Sequence, residues 1–423
     1  MSKILEKIIY EQLYEYFTLN SIFDQNLHGY RQNRSTQTAL MVMYDRWAQA
    51  AAAEQLSGAV LLDLSAAFDL VDHGILIQKL KIYGVEESLV RWIDSYLSER
   101  YQAVWQDHTF SQFLQCKIGV PQGSNLGPLF FLIFFNDLPR TLVNEVDSYA
   151  DDTTISATAS TVEEIGNLLT EDCARVSQWM KKNKLKLNPD KTHLMTLGTQ
   201  ERLRNSSEGV QVTMDDIELK EDEDKSELLL GCIIQNNLKW QKHVNSLLRK
   251  LRTRLCGLTK LRKFAPFSVR KSLAEGLFFS TLVYCLPLFG GMEVGHLKDL
   301  QVMQNKAAQV VTSSPPRAER AKMYSKLGWL TINQLVFYHS VLAVYKIRSS
   351  KEPQYLADIF FKDSRNRRIV IPNARLRLTQ RSFTVRGAAS WNLLPDTIKN
   401  STKLGQFKKL AKGWILGNVE RFL

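Results

Sequence analysis

Apolar residues recur at helical spacing over most of the chain. Ile4, Leu5, Ile8, Ile9, Leu13 and Tyr16 predict an amphipathic helix over 3–17. A loop from Asn26 to Thr36 follows, with hydroxyls suited to capping a second helix over 36–55. Ala59 to Leu62 is apolar on both faces and predicts a buried central strand ending at Asp63. Leu76, Leu80 and Tyr83, then Leu89, Trp92, Ile93 and Leu97, predict two helices in 74–100. Residues 101–118 have strand character, and an apolar helix is expected over Leu129–Leu138. Val146 to Ile155 reads as strand, tight turn, strand, and Val162 to Lys182 as an amphipathic helix. Strand and loop are expected over 185–192, and strands around the acidic run Glu221–Asp224. Further helices are predicted over 239–263 and 265–345, with Gly276–Gly291 as one buried helix and a break at Pro315-Pro316. A basic strand or loop region over 362–381 (Lys362, Arg365, Arg367, Arg368, Arg375, Arg377 and Arg381 against Asp363) precedes a small apolar unit at 383–415.

Asp63 ends a strand with no basic residue nearby to pair with it. A carboxylate so placed is costly to desolvate unless it is paired or binds a metal. Asp151 and Asp152 occupy the predicted hairpin tip. Alone, an Asp-Asp pair is most simply a turn. With Asp63 it predicts a three-carboxylate cluster that divalent cations would neutralise. Mg²⁺ takes a few carboxylate oxygens and leaves room for phosphate, and two such ions suit phosphoryl transfer.

The chain resembles a reverse transcriptase of the non-LTR (LINE-type) retrotransposon family. Leu62 to His73, Gly119-Val120-Pro121-Gln122-Gly123-Ser124 and Tyr149-Ala150-Asp151-Asp152 carry the likeness, in the family's order and spacing. The resemblance implies an α+β right-hand polymerase with fingers, an antiparallel palm sheet and a helical thumb. It divides the chain into partial fingers (1–58), palm (59–240, with a fingers insertion at about 74–118), thumb (241–345) and a basic C-terminal region (346–423). It implies RNA-directed DNA polymerase activity with two Mg²⁺, or Mn²⁺, at Asp63, Asp151 and Asp152. Its partners would be RNA template, DNA primer, their hybrid duplex and dNTPs.

Further site residues follow from the same likeness. Phe68 would exclude a ribose 2′-hydroxyl, Gln122 and Gly123 would approach the nascent base pair beside Tyr149, and Lys191 would assist the leaving pyrophosphate. Arg31 and Arg34 are either triphosphate or template contacts, or a basic surface loop. Leu230 to Ile234, with Leu238-Lys239-Trp240, resembles a primer grip. The chain begins inside the family's fingers region and is expected to lack an endonuclease domain. A catalytically impaired remnant that only binds nucleic acid is therefore the alternative.

The net charge of +12 favours a polyanionic partner. Lys239 to Lys263 holds nine basic residues and no acid; such an amphipathic basic helix could serve a membrane surface, while the resemblance implies a thumb helix along a duplex. Five cysteines lack a Cys-x-x-Cys spacing, so no zinc site is expected. No signal peptide or membrane span is predicted, which points to an intracellular protein, nuclear or cytoplasmic. Oligomeric state is left open.

Overall fold

In the computed structural model every residue is described except Met1, Ser65, Pro189, Asp190, Ser207, Glu208, Pro316, 363–367 and Leu423. Pro316 of the expected break, Ser65 and Pro189-Asp190 of the motifs, and Asp363, Arg365 and Arg367 of the basic stretch thus lie outside the described residues. The fold mixes helix and sheet, as expected. It divides into two units. Unit 1 comprises residues 1–39, 55–196 and 202–224, and unit 2 comprises 40–54, 197–201 and 225–423.

Unit 1 is built on helix α1 (Ser2–Leu19) and a four-stranded sheet. Helix α2 (Thr36–Ala52) starts in unit 1, with most of its length counted in unit 2. The strands are β1 (Leu56–Leu62), β2 (Glu145–Tyr149), β3 (Asp152–Ala159) and β4 (His193–Leu197), in the order β2-β3-β1-β4. β3 runs antiparallel to both neighbours. The unbroken apolar run of β1 reflects burial on both faces. Helices α3 (His73–Ile82), α4 (Glu87–Leu97) and α5 (Gly127–Phe135) follow β1. α5 is buried all round, and Phe130, Phe131, Phe134 and Phe135 anchor the core.

Helix α6 (Val162–Lys182) packs on the sheet through Ile165, Leu169, Cys173, Val176 and Met180. It approaches β1 so closely that a Cβ at Gly58 would stand 2.4 Å from Ile165 Cγ2. Beneath α5, the Lys79 ammonium is buried among the rings of Phe134 and Trp179 and reaches Asp137 Oδ1 at 2.7 Å. Residues 101–115 form two small pairs, Tyr101–Gln102 with Leu114–Gln115 and Trp105–Gln106 with Thr109–Phe110. Strand structure expected over 185–192 begins instead at His193, preceded only by a single bridge from Leu187 to Leu64. β5 (Val212–Met214) and β6 (Ile217–Leu219) complete the unit.

Unit 2 opens its main run with a hairpin of β7 (Ser226–Leu229) and β8 (Cys232–Gln235). Helix α7 (Gln241–Leu261) buries Val244, Leu247, Leu251 and Leu258 and exposes Arg249, Lys250, Arg252, Arg254 and Lys260. It packs on α8 (Val294–Thr312). Gly276–Gly291 is not the single helix expected. A wide-turn segment (Ala274–Phe279) and two short helices replace it, because Cys285 adopts φ +53° and stops the run. α9 (Ile332–Ser350) is the central core helix. Residues 320–350 are long and apolar enough to cross a membrane by length and composition, but 61% of the apolar window is buried in the protein. Gly328 at φ +66° also ends a helix within that stretch. The apolar tail expected at 383–415 packs on α9, through α10 (Phe383–Leu393) and α11 (Leu404–Gly417).

Candidate active site

Tyr149 pairs with Asp152 across the β2–β3 hairpin, so Ala150 and Asp151 form a two-residue turn. Ala150 takes φ +59°, a conformation such tight turns demand. On the other side of β3, Leu62 pairs with Thr153. One further step along that register sets Asp63 beside Asp152, and cross-strand neighbours share a face. The electrostatics agree. The Asp152 carboxyl is held above the usual carboxylate range, first by partial withdrawal from water, then by the charges of Asp151 and Asp63.

Asp152 thus feels the charges of the other two predicted aspartates. Among the described residues, no three His, Cys, Asp or Glu side chains stand ready to hold a metal ion as they are. The chemistry of the aspartates fits a hard divalent cation, since three oxygen donors of one sign repel until a cation joins them.

The loop before α2 supports the turn. His28 donates its backbone N–H to the Ser148 carbonyl at 2.7 Å, and Ser148 returns one to Asn26 at 3.0 Å. The buried His28 ring meets Asp147 at 3.1 Å. Gly29 lies so close that a Cβ there would sit 2.3 Å from the Ala150 nitrogen. Tyr30 follows, its phenol raised above the usual range by burial, then by Asp151 and Tyr149. Its ring meets the Phe68 ring edge-on at 5.8 Å, and Phe68 stacks on Phe131 at 4.3 Å. Phe68 is thus half-buried, in contact with the rings of Tyr30 and Phe131.

The Gly119–Gly123 loop is tied to the segment after Asp63. Gly119 donates to Val71 at 2.7 Å and Val120 to Phe68 at 3.0 Å. Gln122 donates through Nε2 to Asp69 Oδ1 at 2.9 Å. Gly123 takes φ +79° with open space where a Cβ would lie. His73 reaches the Gly119 carbonyl at 2.7 Å, a packing role, and Asp72 caps α3. Lys191 is exposed on a loop fixed to Asp63, because Asn188 donates to the Asp63 carbonyl and Lys191 to that of Asn188, each at 3.1 Å.

Arg31 and Arg34 are placed differently from the other predicted residues. Arg31 donates to the Asp24 carbonyl at 2.9 Å and lies over the Phe23 ring. Arg34 donates to the carbonyls of Leu27, at 3.0 Å, and Gln25. Both guanidiniums brace their own loop. Sequence reasoning passed over His28, Gly29, Tyr30, Asp69 and Asp147. The signal available was Asp147, an acid on a buried strand that needs a partner. In unit 2, the β7–β8 turn puts Leu230 and Gly231 at φ +45° and +82°, backed by Tyr284, whose hydroxyl donates to the Leu230 carbonyl at 2.7 Å.

A family model for reverse transcriptase (RNA-dependent DNA polymerase) matches residues 1–247, which include all of the site residues predicted from the sequence. The chain belongs to the reverse transcriptase family. This reverse transcriptase is 25% identical over 359 residues to "Probable RNA-directed DNA polymerase from transposon BS" of Drosophila melanogaster, covering 80% of this chain and 38% of the relative. It is 24% identical over 327 residues to the RNA-directed DNA polymerase from mobile element jockey of the same fly, covering 74% and 35%. The expected non-LTR, LINE-type kinship holds. The chain spans less than two-fifths of the length of these curated relatives. Apo telomerase from Candida tropicalis overlays with a TM-score of 0.45 at 11% identity, covering 84% of this chain and 60% of that one.

Proposed function

We propose that this reverse transcriptase chain extends a DNA primer on an RNA template by adding deoxynucleotides to the primer 3′-hydroxyl. The observation that carries the reading is that the Asp152 carboxyl is raised by the charges of both Asp151 and Asp63, on strands whose register runs toward them. These three would hold two Mg²⁺, or Mn²⁺, and the metal would supply activation of the attacking hydroxyl and charge neutralisation on the phosphates. Phe68, braced by Phe131 and Tyr30, would close the sugar pocket against a 2′-hydroxyl. Gln122, oriented by Asp69, would meet the nascent pair, with Gly123 and Tyr149 allowing close approach. Lys191 would meet the leaving pyrophosphate from its loop beside Asp63.

On this reading the four-stranded sheet is the palm, with α7 and the helices after it as thumb. The exposed arginines of α7 would follow the backbone of the hybrid duplex. Arg31 and Arg34 would shape the fingers loop by bracing its carbonyls. An intracellular setting, nuclear or cytoplasmic, belongs to the same proposal.

Primer extension on poly(rA)–oligo(dT) with Mg²⁺ tests it. Asp151→Asn should cut extension by roughly a hundredfold or more, the scale of losing an electrostatic group at a reacting phosphate. Extension at the wild-type rate in that variant would refute the assignment. If the wild-type chain binds hybrid duplex but shows no metal-dependent dNTP incorporation, the nucleic-acid-binding remnant is the correct reading.

A further inference from the structure

The first turns of α1 bury an acid and expose apolar side chains. Ile4, Leu5 and Ile8 are exposed, while Glu6 is only 6% exposed, on the helix face that also buries Leu13 and Phe17. A carboxylate withdrawn from water is costly unless donors meet it. Both Glu6 oxygens are met. Oε2 accepts from the backbone N–H of Asn125 at 2.8 Å, and Oε1 from the Tyr96 hydroxyl at 3.2 Å. Asn125 Nδ2 in turn donates to the Lys3 carbonyl at 2.9 Å. Tyr96 is held for this task, since its ring stacks on Trp92 at 5.4 Å and meets Phe130 of α5 edge-on at 6.3 Å.

Glu6 thereby holds the far end of the loop that carries Gln122 and Gly123. Those two residues are exposed, between the buried Val120 and Leu126. The near end of the loop is fixed by Gln122 on Asp69 and by Gly119 on Val71. Ser124 folds the loop back, its hydroxyl donating to the Pro121 carbonyl and accepting from the Gly127 N–H, each at 2.8 Å. Asn125 then ties the fold to α1. Leu126, the N-cap of α5, has no side chain that can cap, so the Glu6 carboxylate also supplies the negative charge favoured beside that helix end. All of these residues lie in unit 1.

We propose that Glu6 is a positioning residue for nucleotide addition, an inference that rests on the extension reaction above. By capturing the Asn125 N–H, it fixes where Gln122 and Gly123 meet the nascent base pair. Glu6 itself touches no substrate. Its loss frees the far end of the loop, so the cost falls on the fit of the incoming deoxynucleotide and not on the aspartates.

Steady-state extension of poly(rA)–oligo(dT) with dTTP, normalised to the fraction of active chains, tests the role. Glu6→Ala should raise the KM for dTTP about tenfold and lower kcat by no more than about threefold, the scale of a small misplacement beside the reacting pair. Glu6→Gln keeps an acceptor for the Asn125 N–H and should stay within about threefold of wild type in KM. A merely structural role would lower the fraction of active chains and leave KM where it was. Hydrogen exchange reads the loop itself: amides of residues 123–126 should lose protection in Glu6→Ala and keep it in Glu6→Gln. If Glu6→Ala fails to fold, Tyr96→Phe carries the test. It removes only the hydroxyl that orients Glu6 and should raise KM about threefold with the melting temperature unchanged. No extension by the wild-type chain refutes the polymerase reading, and this role with it. Extension by wild type with an unchanged KM in Glu6→Ala, or in Tyr96→Phe where the first variant does not fold, overturns the role of Glu6 alone. Glu6→Gln as impaired as Glu6→Ala overturns it too, because capture of the Asn125 N–H would not be what counts.

Discussion

The carboxylate of Asp45 accepts a hydrogen bond at 2.9 Å from the hydroxyl of Tyr355, 310 positions later in the chain. Gln49 and Thr384 donate to the same carboxylate. One buried acid on α2 thus holds two helical segments of the C-terminal region within unit 2. Burial raises the Asp45 carboxyl above its ordinary value, and the donors from Thr384, Tyr355 and Gln49 only partly offset that.

A stability prediction follows from the sign of this shift. The folded chain prefers Asp45 protonated more than the unfolded chain does. Its contribution is therefore complete below the unfolded value near pH 4 and is lost as pH rises through the higher folded value. Asp45→Asn carries no charge to desolvate and keeps an acceptor. The stability of Asp45→Asn relative to wild type should rise with pH across that window, as read from urea midpoints at several pH values. A difference that stays flat with pH would show that Asp45 is no more protonated in the folded state. Asp45→Leu should cost about 1–3 kcal/mol or more, because Tyr355, Thr384 and Gln49 lose their partner.

The aspartate cluster of unit 1 predicts the opposite trade between stability and function. Asp152 is raised by Asp151 and Asp63 after desolvation. Without a cation, the folded state bears that repulsion at neutral pH, and the strain is lost only when Asp152 is protonated. Asp151→Asn removes one repelling charge. In EDTA it should be slightly more stable than wild type, by up to about 0.5 kcal/mol, since the side chains are exposed and screened. With Mg²⁺ the order should reverse, because only wild type gains from binding. Melting curves with and without Mg²⁺ decide it, and a variant that melts below wild type in EDTA would show that repulsion is not stored there.

How much of this was legible in the sequence depends on the range of the contacts. The Tyr149–Asp152 turn and β1 were readable because alternation, apolar runs and turn residues are local signals. That Asp63 joins the hairpin was legible from the cost of burying an unpaired carboxylate at a strand end, and the family motifs added to it. Cys285 at φ +53° was not readable, since cysteine carries no turn signature and its neighbours are apolar. The bonds from Asp45 to Tyr355 and Thr384 had no local trace, because they span more than 300 positions. Arg31 and Arg34 could have served a ligand or their own loop. Only coordinates distinguish a guanidinium that donates to the carbonyls of Asp24 and Leu27 from one that reaches outward.

Gly29 gives a prediction of steric origin. Its backbone lies against the Ala150 nitrogen, where a Cβ would approach to 2.3 Å. The obstacle is backbone, so no side chain can swing aside. Gly29→Ala should displace the hairpin tip or the loop, costing about 1–3 kcal/mol. Because Asp151 sits at that tip, extension should fall more steeply than stability, by roughly tenfold at a temperature where the variant remains folded. Extension at wild-type rate, with stability unchanged, would mean that the loop relaxes without moving the turn.

The outer face of α7 yields the last prediction. Leu247, Leu251 and Leu258 face inward, so Arg249, Arg252 and Arg254 are presented outward by helical spacing alone. If they neutralise phosphates of a hybrid duplex, each releases counterions on binding, and the logarithm of affinity falls linearly with the logarithm of salt concentration. Replacing one of them with Ala should weaken binding to every hybrid sequence alike and reduce the magnitude of the salt slope by about 1. Replacing two should reduce it by about 2. Fluorescence anisotropy of a labelled RNA–DNA hybrid, titrated at several salt concentrations, measures the slope directly. These substitutions leave the apolar face of α7 intact, so the melting temperature should not move. An unchanged slope in the double variant would separate this helix from the duplex and shift the electrostatic work to the basic residues elsewhere in the chain.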